Sequence, residues 1–155
     1  MTKMPPIEKV YEAYSAIADG RVVLGEGVAQ VASSDHTKQY TVTWDGDAYS
    51  SNDNATYWQG YAGYPVLAVL MLEGYLPLDT SVLPYFKGIN WNEINAGHKS
   101  DYTGAAAEVF AKLRADGVPV DKIIREAEKA HKELADLDIE IKRGKNRPPK
   151  SDAGI

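Results

Sequence analysis

Cysteine is absent from all 155 residues, which removes disulfides, thiolate catalysis and Cys-ligated zinc together. The absence fits a reducing compartment. Histidine is scarce: His36, His98 and His131 lie far apart and form neither His-Glu-x-x-His nor His-x-His, so no metal site is expected. Long hydrophobic runs are missing too. The longest, Val66 to Leu72, has seven residues, whereas a membrane-crossing helix takes about 20. Met1-Thr2-Lys3-Met4-Pro5-Pro6 carries no apolar stretch behind its lysine, so no secretory leader is expected. These absences together predict a soluble, cytoplasmic protein. No Gly-x-Ser-x-Gly occurs, no Walker-type lysine follows a glycine run, and Gly25-Glu26-Gly27 leads into a strand instead of a helix. Acyl, phosphoryl and hydride transfer on their familiar motifs therefore lack support, and no cofactor is expected.

What remains is an ordinary globular composition, 44% hydrophobic and 25% charged, enough for one self-sufficient core. Charge is unevenly spread. Residues 1–141 carry 12 Lys/Arg against 21 Asp/Glu, whereas 142–155 carry five basic residues against Asp152 alone. An acidic body repels phosphate backbones. The chain divides on this basis into a globular domain, 1–141, and a basic tail, 142–155, which has Pro148-Pro149 and no apolar period and is read as disordered.

The fold class expected is α+β: an N-terminal helix, a three-stranded antiparallel meander, a buried central helix and a C-terminal antiparallel helical hairpin. Ile7, Val10, Tyr11, Tyr14, Ile17 and Ala18 make one apolar stripe over 6–18, begun at Pro6 and closed by Gly20. Residues 21–52 read as three strands. Gly25-Glu26-Gly27 is taken as a bulge or sharp bend in the first, and Asp45-Gly46 as a hairpin turn pairing Trp44 with Asp47 and Val42 with Tyr49. Pro65 opens a helix to Glu73 whose apolar run on every side predicts burial. A helical turn is expected over 79–86, and Asn90 with Glu93 forms a capping box for a short helix over 91–96. Two amphipathic helices, 101–115 and 121–136, close the domain.

Seven of the fifteen aromatic residues crowd into 40–64: Tyr40, Trp44, Tyr49, Tyr57, Trp58, Tyr61 and Tyr64. The polar knot Ser50-Ser51-Asn52-Asp53-Asn54 sits among them, between strand and helix, where binding loops commonly lie. Candidate ligand- or partner-binding residues are therefore Ser51, Asp53, Asn54, Trp58, Tyr61 and Tyr64. Asp53 or Asn54 is equally suited to cap the following helix. A ligand meeting Asp53 and the ring faces would be neutral or cationic.

Three functions follow. The first is a small binding or protein-interaction module without catalysis, acting through 51–64 on a protein partner or as a homo-oligomer. The second is a small acid–base hydrolase or lyase pairing His36 or His98 with a carboxylate such as Asp53. The third is nucleic-acid association through Lys142, Arg143, Lys145, Arg147 and Lys150, weak and salt-sensitive because no aromatic is interleaved.

Overall fold

A computed structural model describes residues 3–99 and 101–149. The first helix, α1 (Glu8–Ala18), ends as its sequence demands, with Gly20 in the left-handed region at φ +66°. Its burial is not what one stripe implies. Every residue from Lys9 to Ala16 is buried, so the helix is enclosed on all sides.

Five strands follow the order β1 (Val22–Leu24), β2 (Val28–Ala32), β3 (Gln39–Asp45), β4 (Ala48–Ser51) and β5 (Glu140–Ile141) in one sheet. The α+β class holds, but the three-stranded meander does not. Of the bulge or sharp bend expected at Gly25-Glu26-Gly27, the structure forms the bend, tight enough to be a hairpin turn: Gly25 N–H donates to Val28 O at 2.8 Å and Gly27 takes φ +70°. The first expected strand is thus two antiparallel ones. The fifth strand runs parallel to β4, pairing Ala48 with Glu140 and Tyr49 with Ile141. Two residues give no hydrophobic period, so nothing in the sequence announces it.

The β3–β4 hairpin differs from its expected register by one turn position. Asp45 pairs with Ala48 and Trp44 with Tyr49, leaving Gly46-Asp47 as the turn, with Gly46 at φ +57°. That matches a type II′ turn, which takes glycine first, where Asp-Gly suggested type I′. The slip moves each partner by two residues, one full side-chain period, so the faces survive. Ala29, Val31, Tyr40, Val42, Tyr49 and Ser51 all point inward and are buried.

Against that face lies α2 (Tyr64–Leu72), whose Pro65 to Met71 are all buried. It packs on β1, β3 and β4 on one side and on α1 on the other, as an all-apolar helix must. A 3₁₀ helix (Thr80–Phe86), capped by Asp79 through Ser81 N–H at 2.9 Å, and α3 (Trp91–Gly97), capped by Asn90 through Glu93 N–H at 3.1 Å, stand where turn and capping box were expected. The final pair is α4 (Tyr102–Ala115) and α5 (Val120–Asp136). With a π-helical turn at Ala55–Gln59, seven helices surround the core among the described residues. Tyr11 of α1 meets Phe110 of α4 edge-on at 4.9 Å, and Tyr14 meets Phe86 at 5.3 Å, which locks the layers together.

After β5 the basic segment begins with specific contacts. Lys142 N–H donates to Tyr49 O at 2.8 Å, Arg143 Nε to Tyr57 O at 3.1 Å, and Asn52 Nδ2 to Arg147 O at 3.3 Å. Residues 150–155, Lys150 included, lie outside the described residues.

Enclosure of α2 between sheet and α1 has a measurable consequence. Leu70→Ala, at a fully buried position, is expected to cost about 2–5 kcal/mol in urea unfolding. Leu72→Ala, at the exposed end of the helix, is expected within about 1 kcal/mol of the parent. Equal losses at the two positions would refute the enclosure.

Candidate functional site

Where α1, the turn before β3, the π-helical turn and the start of α4 meet, a cleft of about 950 Å³ opens. Five of the six candidate residues line it: Asp53, Asn54, Trp58, Tyr61 and Tyr64. The sixth, Ser51, lies beneath. Its inward position opposite Val42 lets its hydroxyl donate to Asp53 Oδ1. Asp53 Oδ2 accepts Thr56 N–H at 3.0 Å, so Asp53 does cap the turn, as its position predicts. It is buried and still borders the cleft.

The turn itself is held by a close backbone approach. Gly63 N–H donates to Thr56 Oγ1 at 2.9 Å, and a Cβ on Gly63 would strike Asp53 Oδ2 and lie 2.8 Å from Thr56 Oγ1. Its φ of −70° suits any residue; space alone demands glycine. Of the rings, Tyr57 and Tyr61 are buried, Tyr64 is half-buried, and Trp58 is 58% exposed. The four do not form one stripe, because the π-helical turn and Gly60 at φ +75° break the helix between them.

Sequence reasoning missed the floor of the cleft. Lys9 and Glu12 of α1 are only 6% and 5% exposed and both line it. Lys9 Nζ stands 3.2 Å from Glu12 Oε2, an ion pair within α1, and that oxygen is itself sealed from solvent. Oε1 accepts Asn95 Nδ2 at 3.3 Å. Burial drives the Glu12 carboxyl upward, Lys9 and Asn95 pull it back, and the net shift is up. For Lys9, burial is the largest single effect and lowers the ammonium, but the charge of Glu12, the nearby Tyr102 and Tyr61 and the contact with the Glu12 carboxylate together outweigh it, and the net shift is also up. A signal for this lay in α1: Ala13 and Ser15 flank the apolar stripe and Ala16 lies opposite it, between Lys9 and Glu12, and small residues at these positions allow a second layer to approach.

The surrounding hydroxyls belong to Tyr40, Tyr61, Tyr64 and Tyr102. Burial, then the charge of Asp53, pushes the Tyr40 phenol up to about 12. Burial, then neighbouring Tyr40, raises Tyr64. Burial also raises Tyr61, against the pull of Lys9. All three remain neutral donors at pH 7. Asp35, on the opposite rim, is partly desolvated, which would raise it. Bonds from Thr37 N–H, Thr37 Oγ1 and Ser33 Oγ prevail and hold it well below the ordinary carboxylate range.

No histidine lines the cleft. His36 sits at φ +63° beside a smaller hollow of about 230 Å³ with Asp19 and Arg21. His98 Nε2 is 3.8 Å from Glu108 Oε1, beyond hydrogen-bond reach. His131 Nε2 is 2.8 Å from Pro5 O, a boundary residue pinned to backbone. The expected pairing of His36 or His98 with a carboxylate in a pocket is not formed. Among the described residues no group of three or more His, Asp or Glu could hold a metal. Of the basic residues considered for nucleic acid, Arg143 is exposed but stacks on the surface, 4.8 Å above the Tyr57 ring and 5.3 Å from Trp58. Lys142 Nζ lies 3.8 Å from Glu140.

The model of a family described as Uncharacterised conserved protein UCP014422 matches residues 2–140, and the chain belongs to that family. No curated protein and no solved structure matches it. Family membership assigns no function here. None of the described helices is long and apolar enough to cross a membrane.

Two outcomes test the geometry of this site. Lys9→Met leaves Glu12 buried without its cation and is expected to cost about 3–5 kcal/mol, whereas Lys9→Met with Glu12→Leu recovers most of it. The single variant also acquires a pH dependence. A carboxyl raised in the folded state contributes stability below its unfolded pKa, and that contribution is lost as pH rises through the folded pKa. Chemical denaturation should therefore show Lys9→Met weakening relative to the parent as pH rises from about 4 toward 7. A flat difference would show that Glu12 is not enclosed. Separately, Gly63→Ala is expected to lose about 1–3 kcal/mol from overpacking against Asp53, read as a lowered urea midpoint.

Proposed function

We propose that this protein is a small binding module without catalysis of its own, and that its ligand, or a side chain of a protein partner, enters the cleft walled by 51–64. The observation that carries the reading is convergence. Segments far apart in sequence (α1, the 33–38 turn, 53–61, α3 and α4) all turn polar or aromatic side chains toward one space. Its volume falls within the range of about 300–1,000 Å³ usual for ligand sites. Aromatic rings, carboxamides and a buried ion pair are the groups such sites use to orient what they hold. On this reading Asn54 and Trp58 at the rim select, while Asp53 and Ser51 hold the wall in place. A reducing, cytoplasmic setting and the division into a domain over 1–141 with a basic extension belong to the same proposal.

One observation favours a second reading, acid–base catalysis. A carboxylic acid raised by burial, with a lysine beside it, is a common active-site arrangement. Glu12 and Lys9 would then take the roles first given to histidine. Nucleic-acid association draws less support, because Arg143 is engaged with Tyr57 and Trp58 and Lys142 lies beside the carboxylate of Glu140.

A thermal-shift screen of metabolites, with oligomeric state measured by light scattering, tests the proposal. A true ligand at 100 times its Kd stabilises the native state by about 2.7 kcal/mol. Trp58→Ala and Asn54→Ala, both at exposed positions, should leave the unliganded midpoint within about 1 °C and abolish the shift. Retained shifts in both variants would place binding elsewhere.

A further inference from the structure

One edge of the sheet is left bare. β1 lies at the end of the strand order, and among the described residues only β2 pairs with it. Soluble proteins blunt such an edge with lysine, proline or a bulge. The three residues of β1 are Val-Val-Leu, with Val23 67% and Leu24 39% exposed.

The register fixes which backbone groups of that edge are free. In an antiparallel pair, bonded and non-bonded positions alternate. Gly25 N–H donates to Val28 O at 2.8 Å and Ala32 N–H to Arg21 O at 3.0 Å, so Val23 with Gln30 is the bonded pair between them. Val22 and Leu24 therefore turn their N–H and C=O groups away from β2, toward the open side.

Two donors and two acceptors placed evenly about Val23 are complementary to themselves. A second copy running antiparallel, with a two-fold axis at Val23, pairs Val22 with its Leu24 and Leu24 with its Val22. Each pair exchanges both backbone bonds. The two Val23 side chains meet in the non-bonded position, where side chains come closest. The same axis carries Gly25-Glu26 of the second copy to the Gly20 end of β1. There the hollow of about 230 Å³ opens between Val23, Gln30, His36 and Gln39. Asp19 at its border is already engaged by Arg21 Nε at 3.3 Å.

We propose that the chain self-associates through β1, so that the sheet of one copy continues into the sheet of another. An unrelated extended peptide would find the same backbone groups, but a second copy adds Val23 against Val23 and a turn at the hollow. None of residues 22–28 borders the larger cleft, so this contact is independent of the binding proposed there. Three residues a side are few beside the roughly 20–30 of a standard interface, so the dimer is weak and reversible, with a Kd on the order of 100 μM.

Sedimentation equilibrium of the full chain from about 10 μM to 1 mM, a range that brackets this Kd, tests the proposal. Leu24→Pro removes an edge-facing N–H and no bond to β2, whereas Val23→Lys sets like charges opposite each other across the axis. Each is expected to weaken the dimer at least about tenfold, with the urea midpoint of dilute protein close to the parent's. Val28→Lys changes a neighbouring exposed side chain outside β1, and Trp58→Ala changes the rim of the cleft; both should dimerise as the parent does. A parent still monomeric at about 1 mM overturns the proposal. So does a dimer that persists in Val23→Lys, or one lost in Trp58→Ala and kept in Leu24→Pro. Should Leu24→Pro fail to fold, Val23→Lys decides alone.

Discussion

The Lys9–Glu12 pair is the constraint on which the interior depends. An ammonium and a carboxylate on successive turns of α1 belong in water, and this helix is given none. α2 lies on one side, the 3₁₀ helix and α4 with α5 on others. Two charges taken from water recover that loss only through each other and through further bonds. Here the recovery is partial: Asn95 serves one oxygen of Glu12, the Tyr102 ring faces Lys9, and the second oxygen is paired with the ammonium. An apolar pair at these positions would satisfy the fold at least as well.

The rest of the cleft follows from how the sheet delivers its chain to that floor. β4 ends at Ser51 with its hydroxyl inward, which fixes Asp53, which caps the π-helical turn. The turn must then double back closely enough to start α2, and Gly63 is the residue whose missing side chain permits it. From the outer side Arg143 clamps the same turn, through Tyr57 O and the faces of Tyr57 and Trp58. The wall of the site is thus gripped from the sheet, from α2 and from the chain beyond β5. Such a wall varies little in shape, which lowers the ordering cost of binding.

Much of the architecture was legible because single elements announce themselves. Pro65 followed by seven apolar residues can only be a buried helix, and Asn90 with Glu93 marks a helix start regardless of context. The α+β class was legible, and so was the inward face of β3 and β4, because period two survives a register slip of two residues. Illegible were the features that depend on where a distant segment returns. β5 is two residues long and earns its place only by lying beside β4. Nothing local to Lys9 and Glu12 says that Asn95 of α3 and Tyr102 of α4 will come to cover them. The candidate residues of 51–64 were visible as a composition anomaly, but their partners in the cleft, Lys9, Glu12, Asn95 and Tyr102, come from other elements.

One consequence reaches past the individual contacts. The reading from sequence allowed a cationic guest, since Asp53 and tyrosine faces attract positive charge. The fold answers that attraction internally: Lys9 stands against Tyr102, Lys3 against Tyr61, and Arg143 against Tyr57 and Trp58. Asp53 is likewise engaged by Ser51 and by backbone. The attraction for positive charge that the local sequence implies is thus met by the protein's own cations, and only the fold, which brings them from distant segments, reveals it.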